Sequence, residues 1–273
     1  MVKALVTGAN KGIGLEIARY LGHKGISVFI GARNEEKGQA AVQILRAEGL
    51  DAHFVKLDLN DFGSLHNVAK QVGRLDYLVN NAGIPGNLKS DKGQLDMSKS
   101  AFAYSTDDLR ETLEVNFLGT HELILNLLSN LADDAKILNV TVPISGNQFW
   151  QPLAYITSKA AQNSMTMAFG NQFIKDKSKR QIFGVMPGAV ATDLNGAQAS
   201  RFVKKPEEAA QIISDFLFDG KNHNAKIVDE RGKEIKSYEP NLSKIMGFAS
   251  TFVRSFKKII HRLNSRGSVF VLT

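Results

Sequence analysis

Cysteine is absent from the 273 residues. Its absence excludes a disulfide framework, a thiolate metal site and a cysteine nucleophile, and makes the reducing cytoplasm the expected compartment. No stretch reaches the roughly 18 uninterrupted apolar residues of a membrane span. The opening MVKALVTGAN holds no apolar leader core. The histidines at 23, 53, 66, 121, 223 and 261 show no ligand spacing, so no metal is expected. Acid is missing from one region only. From Asn241 to Thr273 there are six cations (Lys244, Arg254, Lys257, Lys258, Arg262, Arg266) and no Asp or Glu, whereas residues 1–240 carry 28 cations against 27 acids. The net charge of +7 therefore resides mainly in the tail. A 43% hydrophobic and 22% charged composition is that of a globular chain, not a disordered or collagen-like one.

Short β-rich apolar runs recur at Lys3 to Val6, Val28 to Ile30, His53 to Leu57, Tyr77 to Val79, Ile137 to Val142, Ile182 to Met186 and Lys226 to Val228. Between them lie segments with apolar residues at three and four spacing, such as Ile13, Ile17, Leu21 and Leu109, Leu113, Phe117, Leu123, Leu127. Alternating strands and helices predict an α/β fold: a Rossmann-type doubly wound parallel sheet of about seven strands, binding its ligand at the carboxyl ends of the strands. Residues 1–240 are expected to form one domain. Pro240 is the candidate boundary to a tail over 241–273.

The first strand runs into TGANKGIG, with Gly8, Gly12 and Gly14 opening the first helix. Glycines there permit a tight turn and a close approach of backbone to a pyrophosphate. The spacing differs by one inserted residue from the common dinucleotide fingerprint. The second strand ends FIGARN, offering Ala32 and Arg33 where an acid would bind the ribose of NAD. Arg33, with Lys11 in the glycine turn, suits the 2′-phosphate of NADPH.

TGANKGIG, Asp58 in LDL, NNAG at Asn80 to Gly83, VNFLGT with Asn116, YITSK with Tyr155 and Lys159, and PGAVAT from Pro187 to Thr192 together resemble the short-chain dehydrogenase/reductase family. The order and spacing hold over about residues 1–230, and TGANKGIGLEIA with GARN is most similar to the NADPH-dependent carbonyl reductase branch. The resemblance implies that Gly8, Asn10, Lys11, Gly12, Ile13, Gly14, Arg33, Asp58, Leu59, Asn81, Ala82, Gly83, Pro187, Gly188, Val190 and Thr192 hold NADPH/NADP+. Tyr155 and Lys159 would complete that set. A second YxxxK, Tyr20 and Lys24, lies in the first helix, away from the cofactor edge.

Carbonyl reduction requires a hydride donor, a proton donor and dipoles for the developing alkoxide. Tyr155 is the expected acid. Lys159, at i+4 on the same helix face, is expected to lower the tyrosine pKa. By the resemblance, Asn116 on a long preceding helix anchors a water that connects Lys159 to solvent. The family serine is replaced: thirteen residues before Tyr155 stands Val142, which donates nothing. Ser145 is the preferred substitute, Thr141 the second, and no hydroxyl at all the third alternative. Phe149, Trp150 and Leu153 either wall an apolar substrate pocket or pack in the core. The long connection from Ile84 to Thr106 either rims that pocket or lies free on the surface. The segment DLNGAQASRFVKK after Thr192 is short for a lid and suggests an open site.

From Leu242 to Leu263 apolar residues recur at helical spacing, with most of the cations off that stripe. This added C-terminal amphipathic helix either packs on the body or a partner subunit, or makes peripheral membrane contact through 242–263. No aromatic-basic platform accompanies it, so no nucleic acid partner is expected. The resemblance thus implies a small-molecule carbonyl substrate and either a homodimer, through helices near Thr106 to Leu131 and Leu153 to Lys175, or a monomer, with the dimer preferred. A dinucleotide-binding scaffold or redox sensor with weakened catalysis, attached through its tail, is the alternative.

Overall fold

The computed structural model describes residues 1–86, 99–142, 152–192 and 199–235. Seven strands, β1 (Lys3–Thr7), β2 (Ser27–Ala32), β3 (Ala52–Lys56), β4 (Leu75–Asn80), β5 (Leu131–Val140), β6 (Gln181–Met186) and β7 (Ile227–Asp229), form one sheet in the order β3-β2-β1-β4-β5-β6-β7. Every pairing is parallel. The expected doubly wound sheet is what the chain adopts, and its strand order reverses between β1 and β4.

A sheet of this kind must be covered on both faces. The helices α1 (Gly12–His23), α2 (Glu35–Ala47), α3 (Phe62–Val72), α4 (Thr106–Leu113), α5 (Thr120–Leu127), α6 (Leu153–Lys175) and α7 (Pro206–Asp215) provide the cover. Successive residues of β1 alternate: Ala4 and Val6 pack with Ile17, Leu21, Val42 and Ile213, whereas Leu5 packs with Leu65, Leu123, Ile124 and Phe173. Helices α1, α2 and α7 thus cover one face, and α3, α5 and α6 the other. Capping residues set several starts: Asn34 accepts from the Lys37 N–H at 2.8 Å, and Ser105 with Asp108 forms a capping box on α4.

Two expected boundaries are corrected. The single helix expected over Thr106 to Leu131 is interrupted by a π-helical turn at Glu114–Gly119 and ends at Leu127. Here the helix presses on the turn after β3: a Cβ on Gly119 would lie 2.1 Å from the Leu59 carbonyl oxygen. Strand β5 begins six residues before Ile137, at Leu131, because Leu75 pairs with Leu131 and Tyr77 with Lys136 across an irregular step. The exposed Asp133 and Asp134 in that step mask the strand from an apolar-run reading.

The duplicate Tyr20–Lys24 pair is structural. Lys24 Nζ sits 4.9 Å from the centroid of the Tyr20 ring, and the Tyr20 hydroxyl donates to Asp215 at the end of α7. Among the described residues no helix is long and apolar enough to cross a membrane. The Pro240 boundary and the tail over 241–273 lie outside the described residues.

Gly119→Ala should destabilise the protein by about 1–3 kcal/mol, through overpacking against Leu59. Gly63→Ala in α3, where the nearest atom to the new Cβ is 3.5 Å away, should change stability by less than about 1 kcal/mol. Urea unfolding of both variants checks the contrast.

Candidate active site

A cavity of about 400 Å³ opens beside the point where the strand order reverses. Its floor is the turn between β1 and α1. Gly12 has φ +58° and nothing within 4 Å of where a Cβ would project, so bare backbone faces the opening. Gly14 does not line the cavity. A Cβ there would meet the Gly8 carbonyl at 2.4 Å, so its missing side chain serves the closeness of α1 to the turn.

Of the predicted residues, Gly8, Asn10, Lys11, Gly12, Ile13, Arg33, Asp58, Leu59, Asn81, Ala82, Gly83, Tyr155, Lys159 and Thr192 line this one cavity. Arg33 and Lys11 are exposed at its rim, and no acid closes β2. The segment after β4 is tied to the end of β1: the Asn81 and Ala82 N–H groups each donate to Thr7 Oγ1 at 3.0 Å, and Asn81 Nδ2 donates to the Thr7 carbonyl at 3.1 Å. Ala32, Leu57, Ile84, Val140 and Ala191 also line the cavity and were not predicted. They are apolar residues at strand ends and loops, where periodicity carries no signal.

Besides Gly14, four predicted residues lie elsewhere. Pro187, Gly188 and Val190 do not line the cavity. Pro187 and Val190 are buried, and Gly188 abuts the ion pair of Lys204 with Glu230. Asn116 is buried behind the wall. Its Oδ1 accepts from the Ile84 N–H at 2.8 Å, while its Nδ2 donates to the Ile84 carbonyl at 2.8 Å and to Ser158 Oγ at 2.9 Å. The Asn116 side chain is thus occupied in holding the loop after β4. Its carbonyl oxygen accepts from Gln162 Nε2 at 3.3 Å, and Gln162 Oε1 accepts from Lys159 Nζ at 3.0 Å. The Gln162 amide side chain thus bridges the Lys159 ammonium and the Asn116 carbonyl.

Thr141 is also corrected as a candidate donor toward substrate. It is buried, and its hydroxyl donates to Asn163 Oδ1 at 2.8 Å. Ser145, Phe149 and Trp150 lie outside the described residues, as do residues 87–98 of the expected rim and 193–198 of the short segment after Thr192. Leu153 is exposed at the start of α6 and does not line the cavity.

The Tyr155–Lys159 pair differs from expectation in its electrostatics. Burial pushes the Tyr155 hydroxyl up to about 12 and Lys159 down to about 8. The ammonium has two protein acceptors of its own. It donates to the Val140 carbonyl at 2.8 Å and to Gln162, and its Nζ lies 5.9 Å from the Tyr155 ring centroid. Sequence reading missed Gln162 and Asn163, although Lys159, Gln162, Asn163 and Thr166 recur at three and four spacing. That polar stripe is the signal. All four are buried within α6.

Depression of the Lys159 pKa costs stability wherever the unfolded chain is protonated and the folded chain resists it. The unfolded state binds more protons between about pH 8 and 10, so the penalty is present below about 8 and fades as pH rises through that window. Wild type should gain about 1–2 kcal/mol relative to Lys159→Met between pH 7.5 and 9.5. Urea unfolding of both proteins at the two pH values measures it.

The short chain dehydrogenase family model matches residues 2–201. Carbonyl reductase (NADPH) 1 of Mus musculus is 34% identical over 185 residues, covering 64% of this chain and 63% of that protein. The chain thus spans less than two thirds of that relative's length. Carbonyl reductase (NADPH) 3 of the same organism is 38% identical over 276 residues, covering 84% of this chain and 96% of that protein. Among solved structures, a short chain dehydrogenase from Burkholderia cenocepacia J2315 in complex with NADP is similar with a TM-score of 0.71 and 25% identity, over 84% of this chain and 95% of that one. Salutaridine reductase from Papaver somniferum has the same fold, with a TM-score of 0.71 and 24% identity, over 83% of this chain and 99% of that one. With its parallel sheet, its glycine turn and Tyr155 and Lys159 on the wall of one cavity, the chain belongs to the short-chain dehydrogenase family.

Proposed function

We propose that the protein reduces an aldehyde or ketone to an alcohol with NADPH, Tyr155 giving the proton to the carbonyl oxygen. The observation that carries this reading is a single cavity that joins Lys11 and Arg33, with no acid at the end of β2, to Tyr155 and Lys159. The similarity to proteins named as NADPH carbonyl reductases, and to a relative solved with NADP, supports the same assignment.

The residues fit the dinucleotide. Bare backbone at Gly12 and the positive end of α1, which has no acid in its first turn, suit the pyrophosphate. Arg33 with Lys11 would hold the 2′-phosphate, Asp58 and Leu59 the adenine side, Asn81 to Gly83 the sugar, and Thr192 the nicotinamide side. When bound, NADPH supplies the hydride that adds to the carbonyl carbon.

Tyr155 keeps its proton at neutral pH, since burial holds its pKa near 12, and is therefore in the form that donates. As the phenol loses its proton to the developing alkoxide, the Lys159 cation stabilises the negative charge left on Tyr155. The apolar lining of Ile84, Val115 and Val140 limits water around this pair and strengthens the interaction.

A second reading, a dinucleotide-binding scaffold or redox sensor, is favoured by one observation. Val142 has no hydroxyl and Thr141 has committed its own to Asn163, which leaves Ser145 to polarise the substrate carbonyl. Three variants, assayed by NADPH oxidation against ketones, aldehydes and quinones, separate the readings. Tyr155→Phe should lower kcat by about 10²–10⁴-fold while the Kd for NADPH stays within a few-fold; unchanged turnover removes Tyr155 as the acid. Arg33→Ala should raise the KM for NADPH by about 10–100-fold and leave that for NADH unaltered. Ser145→Ala should cost about 10²–10³-fold in kcat if its hydroxyl replaces the family serine. Dinucleotide binding without reduction of any panel member favours the scaffold.

A further inference from the structure

Helix α6 buries an ammonium, and its nearest charge-compatible partners are few. Lys159 is 2% exposed. It has three N–H donors and places two of them, on the Val140 carbonyl at 2.8 Å and on Gln162 Oε1 at 3.0 Å. Gln162 is itself 0% exposed. Its other end donates from Nε2 to the Asn116 carbonyl at 3.3 Å, an oxygen within the π-helical turn that also accepts from Thr120 Oγ1 at 3.2 Å. Reversing this amide would set its NH₂ against the ammonium and its oxygen against the Asn116 carbonyl. Both contacts would be repulsive, so Gln162 has one permitted orientation.

We propose that Gln162 is a positioning residue for Lys159, an amide clamp pinned to the Asn116 carbonyl that aims the ammonium and holds it in its charged form. This inference rests on the reductase reading for its effect on turnover, but the clamp itself is a property of the folded chain. An apolar side chain in its place would leave the buried ammonium with one fewer acceptor and favour its neutral form. The π turn is what makes the pin available. It sets the Asn116 carbonyl toward α6, while the Asn116 side chain is engaged with Ile84 and Ser158.

Few titratable groups compete with the clamp among the described residues. On α6 there are Tyr155 and, in the last turn of the helix, Lys175; across the cavity there is Asp58, with Lys11 and Arg33 at the far rim. The π turn contributes Glu114, which lines a different surface hollow with Asp107 and Glu111. In β5, Asp133, Asp134 and Lys136 lie toward the end of the strand away from Val140, and β6 has no titratable residue.

The test reads Lys159 directly, by pH titration of the lysine ¹³Cε signals in the full chain, with Lys159→Met supplying the assignment. In Gln162→Met the titration midpoint should fall by about one pH unit, since the cation loses an acceptor. In Gln162→Glu it should rise by about one unit, because a carboxylate replaces the amide oxygen beside it. Opposite shifts are not expected of a residue that merely fills space. The alkaline limb of the kcat–pH profile for carbonyl reduction should move in the same two directions, with the KM for NADPH within about 2–3-fold of wild type. Midpoints that stay at the wild-type value in both variants, with native circular dichroism, overturn the clamp. Opposite midpoint shifts in a protein that reduces no carbonyl would support the clamp and overturn the reductase reading instead.

Discussion

The Thr7 hydroxyl oxygen accepts the N–H groups of both Asn81 and Ala82, each at 3.0 Å, at the place where the order of the sheet reverses. Two crossovers leave this point in opposite directions, and the loops after β1 and β4 would splay apart without a lateral tie. Thr7 supplies it with one oxygen, and Asn81 Nδ2 reinforces it through the Thr7 carbonyl. Everything that lines the cavity is referred to this junction. The glycine turn approaches Asn81 and Ala82 closely, with a Cβ on Gly8 falling 2.9 Å from the Ala82 Cα. The next residues, Gly83 and Ile84, are then held from behind by Asn116.

The second organising feature is a line of polar groups through what would otherwise be apolar core. Asn80 Nδ2 donates to Asn139 Oδ1, Asn139 Nδ2 to Thr166 Oγ1, and Thr166 Oγ1 to the Gln162 carbonyl, each at 2.8 Å. Burial of such groups is tolerable only when partners are in place. Here the partners come from β4, β5 and α6, so the network sets the helix in register with the sheet. Lys159 sits at the end of this line nearest the cavity, where its ammonium meets the Val140 carbonyl and Gln162. The inner side of the site is thus closed by buried, hydrogen-bonded groups, while its rim carries the exposed Arg33 and Lys11.

The strands and the glycine turn were legible because they depend on local pattern. Apolar runs in β1, β2 and β6, and glycines between a strand and a helix, all appear within a few residues of chain. Tyr155 was distinguished from Tyr20 by position alone, and the structure assigns Tyr20 to a contact with Asp215 on α7. The early start of β5 was not legible. Asp133 and Asp134 are exposed at an irregular pairing step, and no periodicity marks such a step. The π turn was equally hidden: it ends where Gly119 approaches the Leu59 backbone, some sixty positions away in sequence.

Residue identity and spacing determined the parallel α/β class, the absence of thiolate chemistry, the missing acid after β2, and the pairing of Tyr155 with Lys159 on one helix. These properties need only local conformation and side-chain chemistry. Tertiary structure decided where donors and acceptors are used. It turned Asn116 toward Ile84 and Thr141 toward Asn163, moved Pro187, Gly188 and Val190 off the cavity wall, and set Gln162 between Lys159 and a backbone carbonyl. Burial also pushes the tyrosine pKa up, against the sequence expectation, and that of the lysine down. The reason is common to all: a hydrogen bond or a desolvated charge depends on what lies across the core, and that neighbour is distant along the chain.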